Sequence, residues 1–447
     1  MLSIKSHEIN SLIKIALPLM AAFLAQKGMQ LVDTIMMGWI GPQALAAGAL
    51  STSIFTLMLT FCLGTLSSVG VFIARDRGAN QHETIQANLL TGIYLALILS
   101  VPCMIIIWFA PAILSAMHEQ PLIIKNASLL LHGLVWGLPG FLLFFAFREF
   151  ISAFAAARIV MLVCLVSIPL TMAANYVLIY GKYGFPQLGV AGIGYAGAGI
   201  MWFMFLCVYY YSKAHPLLKN YMIFQIGFEF DYRKLRSMFA LGASSGLIYV
   251  LDAGMFTVAA FMMGHFGTEA LAAYQIAMQC VMLAYSVPFA LSMATALQVG
   301  HAVGAKNRWQ AKRYAYISLG MGLIIAGSVA ILFFTESSTL AKLFLNKNEL
   351  HYQAVEQLAG SFLMIAVLFQ CFDTLQAIMN GALRGLKDTF IPMLLCIVCY
   401  WIIGVGSAYY LAFNTSLAAK GIWYGLTLGI CSASVILLLR FLSHRTT

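Results

Sequence analysis

Uninterrupted apolar runs, each about twenty residues or longer, follow one another along almost the whole chain, and no other feature constrains its fold so tightly. A run of that length matches the roughly 30 Å of hydrocarbon that a helix crosses at about 1.5 Å per residue. Inside lipid, backbone N–H and C=O groups must be satisfied internally, so continuous apolar runs mean helices. A transmembrane barrel would instead alternate polarity over short segments, which this chain does not do. Composition agrees: 62% of the 447 residues are hydrophobic and 9% are charged, and the mean hydropathy is +0.90. The expected fold class is an all-α polytopic protein embedded in the lipid bilayer.

Twelve runs reach spanning length, at approximately 13–39, 45–74, 85–110, 127–150, 159–181, 189–211, 239–264, 271–302, 312–335, 354–381, 389–413 and 420–442. Counting Lys and Arg orients them. The termini and the loops on their side hold nineteen, and the opposite side holds five. Basic excess marks the cytoplasm, so both termini are expected there. The net charge of +10 is thereby placed in short loops, which argues against nucleic acid as a partner. All nine cysteines lie in apolar runs, against a disulfide framework. Cys396 and Cys399 form a CxxC, but with no nearby His a metal or redox role is not expected. The first span lacks a cleavage site and is expected to remain as an anchor.

The chain also repeats itself. MMGWIGPQALAA at 36–47 returns as MMGHFGTEALAA at 262–273, identical at eight of twelve positions with a shift of 226. Gly78-Ala79 and Gly304-Ala305 keep that shift; Ala146-Phe147-Arg148 and Ala382-Leu383-Arg384 are 236 apart, which fits ten extra residues near 336–353. Gly192-Ile193 with Tyr195 answers Gly421-Ile422 with Tyr424. Two pseudo-symmetric six-helix lobes are expected, 1–211 and 237–447, joined by a cytoplasmic linker at 212–236. Six is even, so the copies run parallel about an axis along the membrane normal, an arrangement that places substrate near the midplane.

No P-loop, dinucleotide fingerprint or zinc-ligand spacing is present, so neither an enzyme nor a cofactor is expected. What remains are charges inside spans. Asp33, Asp252 and Asp373 fall in helices 1, 7 and 10. A carboxylate at such a depth costs about 2.5–3.5 kcal/mol, which marks each as a functional candidate. Polar neighbours accompany them: Gln26 and Gln30 on helix 1; Ser245 and Tyr249 on helix 7; Gln275, Gln279 and Ser286 on helix 8; Gln370, Gln376 and Asn380 on helix 10. Polar stripes in lipid must face protein or water. Burial favours a neutral carboxyl and a nearby cation favours an ionised one, so an acid in a hydrated cavity can exchange a proton or Na⁺ for a cationic substrate. Asp252 and Asp373, with Gln279, are candidates for the coupling ion; Asp33 is a proton site or a substrate anchor. Tyr249, Gln275, Gln370, Gln376 and Asn380 are cavity candidates. Lys27 lies six residues from Asp33, about 120° around the helix, so a direct pair is not expected and the lysine is assigned a structural or tuning role. Arg148 and Arg384 are expected to anchor or gate the cytoplasmic ends of helices 4 and 10.

AQKGMQLVDTIMMGWIG (25–41), NYVLIYGKYGFPQLGVAGIGYA (175–196), QVGHAVGA (298–305), FQCFDTLQAIMNGALRGLKD (369–388) and AAKGIWYG (418–425) together resemble the multidrug and toxic compound extrusion (MATE) family, in its bacterial NorM-type branch. The resemblance spans essentially the whole chain. It implies two six-helix lobes forming a V, and export of amphiphilic, often cationic compounds against Na⁺ or H⁺. It matches Asp33 to the acid of the first lobe, Asp373 to that of the second, and Asn175 to a polar position in the first-lobe cavity. Four positions depart from the pattern: Asp252 replaces a usual glutamate, Phe369 a tyrosine, Gln298 an arginine and Lys27 a small polar residue. A monomeric secondary antiporter is the expected function. A lipid-linked precursor flippase is the alternative, but a pyrophosphate headgroup calls for basic residues, and the midspan tally is three acids to one lysine.

Overall fold

The structure, a computed structural model, describes residues 6–116, 120–221, 231–345 and 352–444. Among these residues there is no strand. Twelve helices are long and apolar enough to cross a membrane: α1 His7–Ile40, α2 Pro42–Gly78, α3 His82–Ala112, α4 Pro121–Ala153, α5 Arg158–Tyr180, α6 Val190–Ala214, α7 Tyr232–Gly264, α8 Thr268–Gly304, α9 Arg308–Lys342, α10 Tyr352–Gly385, α11 Phe390–Phe413 and α12 Ala419–Ser443. Several begin a turn or two before their apolar runs, α1 before 13 and α7 before 239. The hydrogen-bond ladder continues into polar sequence, so Arg233 and Arg236 of the expected linker ride on the first turns of α7. Much of the expected linker, 222–230, lies outside the described residues.

The chain packs as two compact units, Leu17–Gly246 and Met1–Ala16 with Leu247–Thr447. In the first, α1 and α2 are joined by Gly41 alone, whose φ of 146° only glycine adopts without strain. In the second, α7 and α8 are joined by His265, Phe266 and Gly267, and Gly267 (φ 99°) takes the position just before α8 at the repeat shift of 226. The duplicated motif is a pair of glycine-hinged hairpins.

Close helix approaches fix the interior of each unit. In the first, a side chain on Gly133 would lie 2.8 Å from the Gly194 backbone and one on Gly137 2.6 Å from Ala198, so α4 and α6 run parallel in near backbone contact. In the second, Gly381 faces the Ser292 carbonyl and Gly385 that of Ala296, so α8 and α10 also run parallel. Ser292 Oγ donates to the Ala377 carbonyl at 2.6 Å across that seam. The second unit also holds a buried ion pair, Arg313 Nε to Glu8 Oε2 at 2.8 Å, with the guanidinium over the Trp309 ring.

One helix breaks the internal symmetry. α11 is α-helical over Phe390–Ile397, π-helical over Val398–Val405 and α-helical again over Gly406–Phe413. Its repeat partner α5 is regular throughout and one residue shorter, 23 residues against 24. The starts of these helices, Arg158 and Phe390, are 232 apart. Beyond the first π residues the offset is 233: Gly28 packs on Ile168 where Gly254 packs on Trp401. The π turn is a one-residue insertion.

Candidate functional site

The first unit contains a cavity with about 1120 Å³ of empty space, counting its open mouth. α1 supplies Gln26, Lys27, Gln30 and Asp33; α2 adds Thr52, Thr56 and Thr60; aromatic and methionine side chains complete the wall. Asp33 is half-buried, and Asn175 of α5, fully buried, donates Nδ2–H to its Oδ1 at 2.7 Å. The Asn175 Oδ1 has no donor among the described residues. Gln26 turns toward α5, with Nε2 3.9 Å from Cys164 Sγ. Lys27 donates to Gln30 Oε1 at 3.3 Å and lies 5.8 Å from the Phe23 ring centre. Arg148 is buried, pairs with its neighbour Glu149 at 2.9 Å, and stacks over Phe145.

In the second unit the polar stripe of α10 turns inward. Gln370, Asp373, Gln376 and Arg384 are each at most 5% exposed. Asp252 of α7 lies within electrostatic reach of Asp373. Arg384 donates Nη1–H to the Tyr249 hydroxyl at 2.6 Å, tying the end of α10 to α7 three residues before Asp252. Gln376 Nε2 donates to the Tyr400 hydroxyl, which the π turn of α11 carries into the bundle. Asn380 is within hydrogen-bonding reach of Cys396. Four acceptor oxygens of this unit, Asp252 Oδ1, Gln370 Oε1, Gln376 Oε1 and Asn380 Oδ1, are buried without a donor among the described residues. Oxygen acceptors without hydrogens suit a proton or a small hard cation.

Two members of this cluster escaped the sequence reading. Tyr285 of α8 interacts with Asp252, Asp373, Tyr249 and Arg384, and Tyr400 interacts with Asp252 and Tyr285. A tyrosine in an apolar run reads as packing, so sequence gives little signal for either. Conversely, Gln275 and Gln279 lie on an exposed side of α8 and hydrogen-bond to neither acid. Tyr285, about a third of a turn away from Gln279 around α8, is the residue of this helix that interacts with the acids. Phe369 is fully buried between Phe256 and Trp423. Among the described residues no three His, Cys, Asp or Glu side chains converge as a metal site, and all nine cysteines are free.

Comparison with known proteins gives a consistent result. A family model described as MatE matches residues 18–177 and 245–410. A probable multidrug resistance protein NorM of Pseudomonas putida is 36% identical over 434 residues, covering 97% of this chain and 94% of the relative. The multidrug resistance protein NorM of Aliivibrio fischeri is 30% identical over 439 residues, covering 97% and 94%. Among solved structures, the eukaryotic MATE transporter AtDTX14 superposes with a TM-score of 0.86 at 20% identity, covering 98% of this chain and 96% of that one. The Vibrio cholerae MATE transporter VcmN superposes with a TM-score of 0.87 at 15% identity, covering 98% and 97%. Twelve spanning helices, near full-length relatives and a shared fold identify a multi-pass membrane transporter: the chain belongs to the MatE family.

Proposed function

We infer that the protein is a secondary active multidrug exporter of the bacterial inner membrane, with both termini cytoplasmic, acting as a monomer and needing no cofactor. It moves amphiphilic, often cationic compounds outward against inward Na⁺ or H⁺ by alternating access of two six-helix lobes, 1–211 and 237–447. The supporting observation is the separation of two acid sites. The second unit gathers Asp252, Asp373, Tyr285 and Tyr400 around acceptor oxygens that no donor among the described residues fills, which suits the coupling ion. The first unit holds Asp33 in a roomy, largely apolar cavity, which suits an organic substrate or a second proton. The names of the NorM relatives supply the substrate class, and the basic excess on one side supplies the orientation.

Dye efflux from proteoliposomes tests this, first under a Na⁺ gradient alone and then under a pH gradient alone. One of the two gradients drives wild-type efflux, and Asp373→Asn abolishes it while leaving protein yield and helicity unchanged. Full transport by that variant removes Asp373 from the coupling site.

A further inference from the structure

Lys27 is the one feature of the first-unit cavity that export of plain cations leaves unused. A cation beside a cation site weakens it, unless the site also receives a negative charge. Lys27 lines the same cavity as Asp33. Its neighbours there are neutral, the Gln30 amide oxygen and the Phe23 ring, and no carboxylate pairs with it among the described residues. Six residues of helix set the two Cα positions about 9 Å apart along α1 and about 120° apart around it. They therefore cannot neutralise each other, yet both address the same space. Asp33 is held by Asn175, whereas Lys27 is exposed and its one hydrogen bond among the described residues is to the neutral amide of Gln30.

We propose that Lys27 is a specificity-determining residue that forms an anion subsite, so that the cavity takes zwitterionic amphiphiles. The ammonium of such a ligand pairs with Asp33, its carboxylate with Lys27, and the apolar scaffold between them lies along Phe55, Phe141 and Met201, which line the cavity. The two subsites, about one and two-thirds turns of helix apart, set the charge separation that fits. Compact zwitterions such as amino acids are too short to reach both. This proposal rests on the exporter reading for its biological meaning, but not for its binding chemistry.

Rhodamine 123 and rhodamine 110 are matched probes: the same aromatic cation, with its carboxyl esterified in the first and free in the second. Fluorescence anisotropy gives equilibrium binding of each to the detergent-solubilised protein. Lys27→Gln weakens rhodamine 110 about tenfold, the loss of one charge-assisted contact, and leaves rhodamine 123 unchanged or tighter. Lys27→Arg keeps the wild-type pattern, and Asp33→Asn weakens both dyes. The proposal is overturned if Lys27→Gln shifts both dyes by the same factor, which marks the lysine as merely shaping the cavity. It is overturned equally if that variant shifts neither dye, or if wild type does not bind rhodamine 110. Efflux of rhodamine 123 in the same preparation separates the two claims: absent efflux with the binding pattern intact defeats the exporter reading and leaves the subsite standing.

Discussion

At the scale of single residues, hydroxyl groups accompany the acids of the second unit. Tyr285 interacts with both Asp252 and Asp373, and Tyr400 is held by Gln376 beside them. A phenolic oxygen can donate to a carboxylate or accept a cation, so each tyrosine adapts to either state of the site. Tyr285→Phe keeps the ring and removes that oxygen. Its expected effect is a rise of roughly tenfold in the coupling-ion concentration for half-maximal efflux, in line with a hydrogen bond to a charged group. Titration of efflux with the coupling ion measures it, and an unchanged midpoint removes Tyr285 from the site. The three acids were legible because charge in an apolar run is costly and therefore conspicuous. The tyrosines were not, because their cost is small and their partners lie on other helices. Asn175 was legible only through family resemblance, since a lone amide in an apolar run announces no partner.

At the scale of elements, helix register decides which side chains reach the site. Hydropathy located twelve spans but could not see the π turn, because one added residue does not alter an apolar average. Deleting Ile403 from Val398–Val405 restores the 23-residue length of α5. The deletion closes the bulge into a regular α-helix, so the turn that brings the Tyr400 hydroxyl to Gln376 Nε2 is lost. The expected result is normal yield and helicity with efflux no longer responsive to the ion gradient. Retained ion-driven efflux makes the π turn incidental. Seam packing gives a second test. Gly381→Leu forces bulk against the Ser292 carbonyl, where even a Cβ would stand 2.2 Å away, and pushes α10 from α8. A lowered Tm and lost efflux are expected together, whereas the same change at Gly327, with nothing within 4 Å, leaves both near wild type.

For the whole molecule, the repeat made the architecture legible from a dozen residues: the hairpins at Gly41 and Gly267 fall where the 226 shift puts them. Less legible was where the chain's beginning belongs. Met1–Ala16 counts with the second unit, and its Glu8 is buried against Arg313. Breaking a buried pair by removing one partner costs about 3–5 kcal/mol. Glu8→Ala is accordingly expected to lower the Tm, and Glu8→Gln with Arg313→Gln to recover part of the loss; equal Tm values for all three proteins leave the pair without a stabilising role.

The π turn carries a consequence for how the two halves diverged. Every other difference between them that bears on the acids, such as Asp33 against Ala259 or Gln26 against Asp252, is reachable by substitution. An added residue in mid-helix is not: it requires an in-frame codon. Substitutions alone therefore cannot make α11 a copy of α5.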